Sequence, residues 1–205
     1  MRYFILSSLL FLCCSCSSVY KELTKTEDKS CDLEKFRPSY GSALYTASID
    51  ILNKHMSGLL LIKAMPDSSI RTIFTNETGL TFFDFEFDRS TGFKVHSIFK
   101  KMDKKAIINT LRIDFELMLM NNLQFPSKMS FEYQQQNYYL FHQRNENIYM
   151  VTDSICNSLV RIELASKRKP KVDVTLLNYS NGIPSIITIS HKHFNFTISL
   201  RQIEH

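Results

Sequence analysis

FTNETGLTFFDFEFD, residues 74–88, sets the reading of the whole chain. Residues 76–79 carry turn chemistry. Beyond them Thr81, Phe83, Phe85 and Phe87 alternate with Phe82, Asp84, Glu86 and Asp88. Alternation at period two marks a half-buried β-strand, and the short connection makes it a hairpin with the strand before. The first set is expected to face a core and the carboxylate row to face solvent.

Strand signals repeat outward from this hairpin. Upstream, residues 44–52 alternate with Tyr45, Ala47, Ile49 and Ile51 on one face. Residues 53–55 turn, 57–65 return through GLLLIKAM, and 66–69 turn into 70–74. Downstream, after 89–92, residues 93–99 place Phe93, Val95 and Phe99 on the apolar side. Short strands joined by tight turns form a meander.

The period then lengthens. Asp103 is the expected N-cap of KKAIINTLRIDFELMLM, where Ile107 or Ile108, Leu111, Phe115 and Met118 recur at three and four, opposite Lys105, Asn109, Arg112 and Glu116. This is an amphipathic helix of about four turns. Residues 121–136 read as a polar connector containing Pro126, and strands resume at 138–142, 148–152, 159–164, 171–177, 183–189 and 194–201. The sum is an α+β, mostly β chain with about eleven antiparallel strands.

Composition agrees with one globular domain. The chain has 205 residues, 44% hydrophobic and 22% charged, enough for a sizeable core. Sixteen Phe and nine Tyr against five Gly and five Pro exclude collagen-like, low-complexity and Gly-rich nucleotide-loop architectures. The net charge of +5 is modest. No GxSxG, HExxH or phosphate-binding Gly loop occurs, so no enzyme is expected.

The N-terminus addresses the chain. Arg2 precedes an apolar run, 3–12, that ends in LCCSC at Cys16. The run is far shorter than the ~20 residues of a membrane-spanning helix, and reads as a secretory signal. Its cysteine ending resembles a bacterial lipobox. Cys16, preceded by the small Ser15, is the expected lipidation site; Cys14 is the runner-up, and an ordinary cleaved signal is the alternative. The implied organisation is a signal peptide over 1–15, a lipidated cysteine with a polar tether over 16–35, and a folded domain over 36–205. Each buried methylene contributes about 0.8 kcal/mol and two acyl chains anchor stably, so a lipidated Cys16 would hold the domain at the membrane. No acidic residue directly follows Cys16. By resemblance to lipoprotein sorting signals, the destination is the periplasmic face of the outer membrane.

Two cysteines remain, Cys31 and Cys156. In an oxidising compartment an even pair invites a disulfide, with two separate thiols as the alternative.

Strand order, inserted helix and lipobox together resemble the LolA/LolB-like lipoprotein fold, over roughly residues 36–203. More closely, SGLLLIKAMPDSSIRTIFTNETGLTFFDFEF followed by FKVHSIFKKMDKKAI is similar to outer-membrane lipoproteins of Gram-negative bacteria. The resemblance implies an open antiparallel half-barrel with a helical lid over its concave side. A gap between sheet and helix would accept acyl chains of lipids or lipoproteins. Its expected lining is Phe74, Phe83, Phe85, Phe87, Phe93, Val95, Leu111 and Phe115. The alternative is that these residues pack on one another as a filled core, leaving an accessory or scaffold lipoprotein with an envelope protein partner.

Other constellations point to little chemistry. His191 and His193 have near-ligand spacing on a strand but no Cys or carboxylate partner in sequence, and no metal or cofactor is expected. The row Asp84, Glu86 and Asp88 reads as a solvated face. The basic clusters Lys167, Arg168, Lys169, Lys171 and Lys100, Lys101, Lys104, Lys105 read as solvated turns or as contacts to anionic headgroups, not to nucleic acid.

Overall fold

In the computed structural model one antiparallel sheet runs through the described residues. The described residues are 19–26, 31–51, 54–127, 129–143, 146–166 and 169–203. The strands are β1 (Thr24–Thr26), β2 (Ser42–Ile51), β3 (Lys54–Ala64), β4 (Ile70–Thr75), β5 (Thr81–Asp88), β6 (Gly92–Ile98), β7 (Met129–Tyr133), β8 (Gln136–Gln143), β9 (Glu146–Asp153), β10 (Leu159–Ala165), β11 (Pro170–Ser180), β12 (Ile183–His191) and β13 (Phe196–Gln202). The helix α1 (Lys105–Met118) stands between β6 and β7. Neighbours follow the order β1-β7-β8-β9-β10-β11-β12-β13-β2-β3-β4-β5-β6. Two meanders thus meet where β13 pairs with β2, and the sheet stays open, with β1 and β6 as its edges.

Among the described residues thirteen strands stand against the eleven expected. The two additions, β1 and β7, come from stretches read as polar tether and polar connector, and they pair with each other through Thr24↔Glu132, Lys25↔Phe131 and Thr26↔Ser130. Thr-Lys-Thr is too short and too polar to alternate. It is a strand because β7 supplies its backbone partners, a relation between distant segments that local periodicity does not register. The segment also covers the outer face of β8–β10. Tyr20 stacks on Tyr149 with ring centroids 4.8 Å apart, and its hydroxyl donates to Glu163 at 2.6 Å. Tyr138, Leu140, Tyr149, Val151 and Ala165 form a small second core beneath it, so β8 and β9 are buried on both faces.

The hairpin of residues 74–88 forms as read, with one change. Asn76 accepts backbone N–H groups from Thr78 and Leu80, and Gly79 takes the positive φ of the turn. The register then runs Phe74↔Phe83 but Thr75↔Thr81, leaving Phe82 as the extra residue of a β-bulge. Opposed residues share a face, so Thr81 joins Thr75 on the outer side, and Phe82 turns inward against Phe74 and Phe99. This corrects both positions.

The helix starts one residue later than expected. The N–H of Asp103 is taken by the carbonyl of Phe99, and Lys104 occupies the N-cap without a side-chain cap. Its other end closes in a Schellman pattern: Met120 N–H donates to Leu117 and Asn121 N–H to Glu116. Met120 takes the left-handed conformation there and is itself fully buried. Arg37 adds donors to the carbonyls of Met120 at 2.6 Å and Leu123 at 3.0 Å, a cation at the negative end of the helix.

Candidate functional site

α1 lies on the aromatic face of the sheet. Phe115 meets Phe83 edge-on at 5.5 Å and Phe87 at 6.2 Å, Phe83 stacks on Phe85 at 4.5 Å, and Phe93 packs against both Phe85 and Phe87. Phe74, Phe83, Phe85, Phe87, Leu111 and Phe115 are at most 2% exposed, and Phe93 and Val95 are half-buried against them. Seven of the eight expected lining residues therefore fill a core, and Leu111 alone among them lines the pocket that lies alongside. Contacts between rings at van der Waals distance leave no room for a chain here.

That pocket has a volume of about 660 Å³ and lies between the start of α1 and strands β2 and β3. Ile49, Leu111 and Phe196, each 2% exposed, form its buried floor, and Ile51, Met56, Phe82, Phe99 and Met102 its apolar walls. Lys54, His55 and Lys101 line it and are exposed, which places them at its open side. Two features make the space. On α1 the row at spacing four, Ala106 and Thr110, presents small side chains toward it. On β5 the bulge turns Phe82 into its wall. Period-two reading missed Phe82 because a bulge inverts the parity on one side of it.

The same helical row ends on Asp114, which is fully buried. Both carboxylate oxygens lie at 2.9 and 3.0 Å from Nε2 of His191 on β12. His191 also packs on Phe194 and Phe196, two rings that line the pocket, at 4.6 and 4.8 Å. Burial raises the Asp114 carboxyl above its ordinary value, and the bond from His191 opposes this only in part. Sequence spacing pairs His191 with His193, whereas the structure pairs His191 with Asp114. The available signal was its place in the inward stripe with Leu111, Phe115 and Met118, where a carboxylate requires a partner.

The remaining candidates find ordinary partners. Asp84 receives both arms of Arg71 at 2.6 and 2.7 Å, and Glu86 meets His96 at 2.7 Å. Asp88 accepts from Ser90 and Thr91, and the Ser90 hydroxyl foremost holds its carboxyl well below the usual range. Lys171 pairs with Glu146 and Lys192 with Asp173. No group of three His, Cys, Asp or Glu able to hold a metal occurs among the described residues. Cys31 is joined to Cys156 with Cα atoms 5.8 Å apart, tying the segment before β2 to the turn after β9. Cys16, Lys167 and Arg168 lie outside the described residues.

No family model and no curated protein matches the chain. Two solved structures are similar to it at low identity. A LolA-superfamily protein from Nitrosomonas europaea superposes with a TM-score of 0.49 at 9% identity, covering 84% of this chain and 90% of that one. A domain from Vibrio parahaemolyticus described as an outer-membrane lipoprotein-sorting protein gives 0.42 at 8% identity, covering 83% and 87%.

Proposed function

We propose that the chain is an outer-membrane-anchored lipoprotein, lipidated at Cys16, whose domain binds an acyl chain between α1 and the sheet. The observation that carries this reading is the pocket of about 660 Å³ with a fully apolar floor, within the roughly 300–1,000 Å³ of small-ligand sites. In it α1 acts as the lid. Binding rather than catalysis is favoured because the buried Asp114–His191 pair is spent joining helix to sheet. The Cys31–Cys156 disulfide suits an oxidising, exported location. Tyr20 and β1 dock on the sheet, and the three Cα steps from Cys16 to Val19 can span at most about 11 Å. The β1 end of the sheet is then held close to the bilayer.

The filled aromatic core favours a second reading, in which the domain is a scaffold for an envelope partner and the pocket holds nothing. Native mass spectrometry of full-length protein extracted from membranes separates the two. Acyl-binding predicts bound lipid near one per chain, lost in Ala106→Trp while the unfolding temperature is kept. Wild-type protein that comes off lipid-free supports the scaffold reading instead. Cys16→Ala should release the domain from the membrane fraction, and a variant still processed and lipidated rejects Cys16 as the anchor.

A further inference from the structure

The pocket is polarised along its depth. Its floor is aliphatic and aromatic, while three groups capable of positive charge, Lys54, His55 and Lys101, stand exposed at the opening. No Asp or Glu lines it. Asp50, outside the lining, holds its Oδ1 2.7 Å from Nδ1 of His55. That contact sets Asp50 against His55, and among the described residues neither Lys54 nor Lys101 is engaged with a carboxylate. A lysine in this position lays its methylene stem along apolar surface and holds its ammonium in water, where an amphiphile's head would emerge.

We propose that the pocket selects an amphiphile with an anionic head, its acyl chain against Ile49, Met56, Ile107 and Leu111 and its head between Lys54 and Lys101. The inference rests on the reading of this pocket as an acyl site and adds the charge of the ligand. A carboxylate or a phosphate head satisfies it equally, so a free fatty acid and an acidic bilayer lipid share the required chemistry. Because the cations are exposed, the preference weakens as salt rises.

The test uses full-length protein in phosphatidylcholine nanodiscs, photolabelled with diazirine-bearing palmitate, its methyl ester or the matching alkylamine, with labelled sites mapped by peptide mass spectrometry. Palmitate should label the pocket segments about tenfold more than the ester, and the amine least. Lys54→Glu with Lys101→Glu should abolish that ratio, and Lys54→Arg with Lys101→Arg should keep it, both with an unchanged circular dichroism spectrum. Competition when phosphatidylglycerol is added to the disc would assign the head to a bilayer lipid, and its absence to a free acid; both support an anionic ligand. Equal labelling by acid and ester, or a ratio untouched by charge reversal, overturns the head-group assignment and leaves the acyl site standing. No pocket labelling by any probe overturns both.

Discussion

At the scale of single residues, Asp114 and Phe85 show how burial changes what a side chain does. Asp114 gives up its hydration for one imidazole, and burial lifts its carboxyl. The folded chain then keeps a proton that the unfolded chain releases. Its contribution to stability is present at low pH, falls as pH rises from the unfolded carboxylate value of about 3.9 to the raised folded value, and is constant above. Asp67 and Asp88, shifted downward, act in the opposite sense but are common to wild type and Asp114→Asn. The unfolding-temperature difference between those two proteins should therefore favour wild type most at low pH and shrink as pH rises; a difference independent of pH contradicts the raised carboxyl. Phe85, with no exposed surface, is flanked by Phe83 and Phe93. Phe85→Ala should cost about 3–5 kcal/mol in urea unfolding, and native mass spectrometry should still find lipid in the folded fraction.

At the scale of elements, alternation and helical stripe were readable because each states locally which residues seek burial. Residues 105–118 and the five-strand meander were legible for that reason. β1 was not, since three polar residues become a strand only when a partner 104 or more positions away completes their hydrogen bonds, whereas β7 carries a local signal, Met129, Phe131 and Tyr133 alternating with Ser130 and Glu132, inside a stretch otherwise read as polar connector. Gly58 makes a similar point on β3. A methyl there would sit on the carbonyl oxygen of Thr75, at the irregular step of the β4–β5 ladder, whereas one at Gly41 meets open space. Gly58→Ala should cost about 1–3 kcal/mol and Gly41→Ala far less, as compared by thermal unfolding. Equal costs would show that the approach of Thr75 is not what demands glycine.

For the whole molecule, the Cys31–Cys156 bridge closes a sequence separation of 125 residues and pins the segment carrying Leu33, Phe36 and Arg37. Arg37 in turn holds the carbonyls at the end of α1. Cys31→Ser with Cys156→Ser should lower stability by about 2–5 kcal/mol, and wild type under reducing agent should match it. A pair of variants as stable as wild type would show that the bridge constrains nothing the fold does not already hold.

Sequence by itself determined eleven of the described strands, the helix over 105–118 and the aromatic face of residues 83–87, because period and turn chemistry are local consequences of side-chain burial. Tertiary structure alone decided that seven of the eight expected lining residues close into a core, that a bulge turns Phe82 inward, and that the pocket opens beside them under Ala106 and Thr110. Periodicity states which side chains leave water. Whether they meet protein or empty space depends on the volumes of residues that only folding brings together.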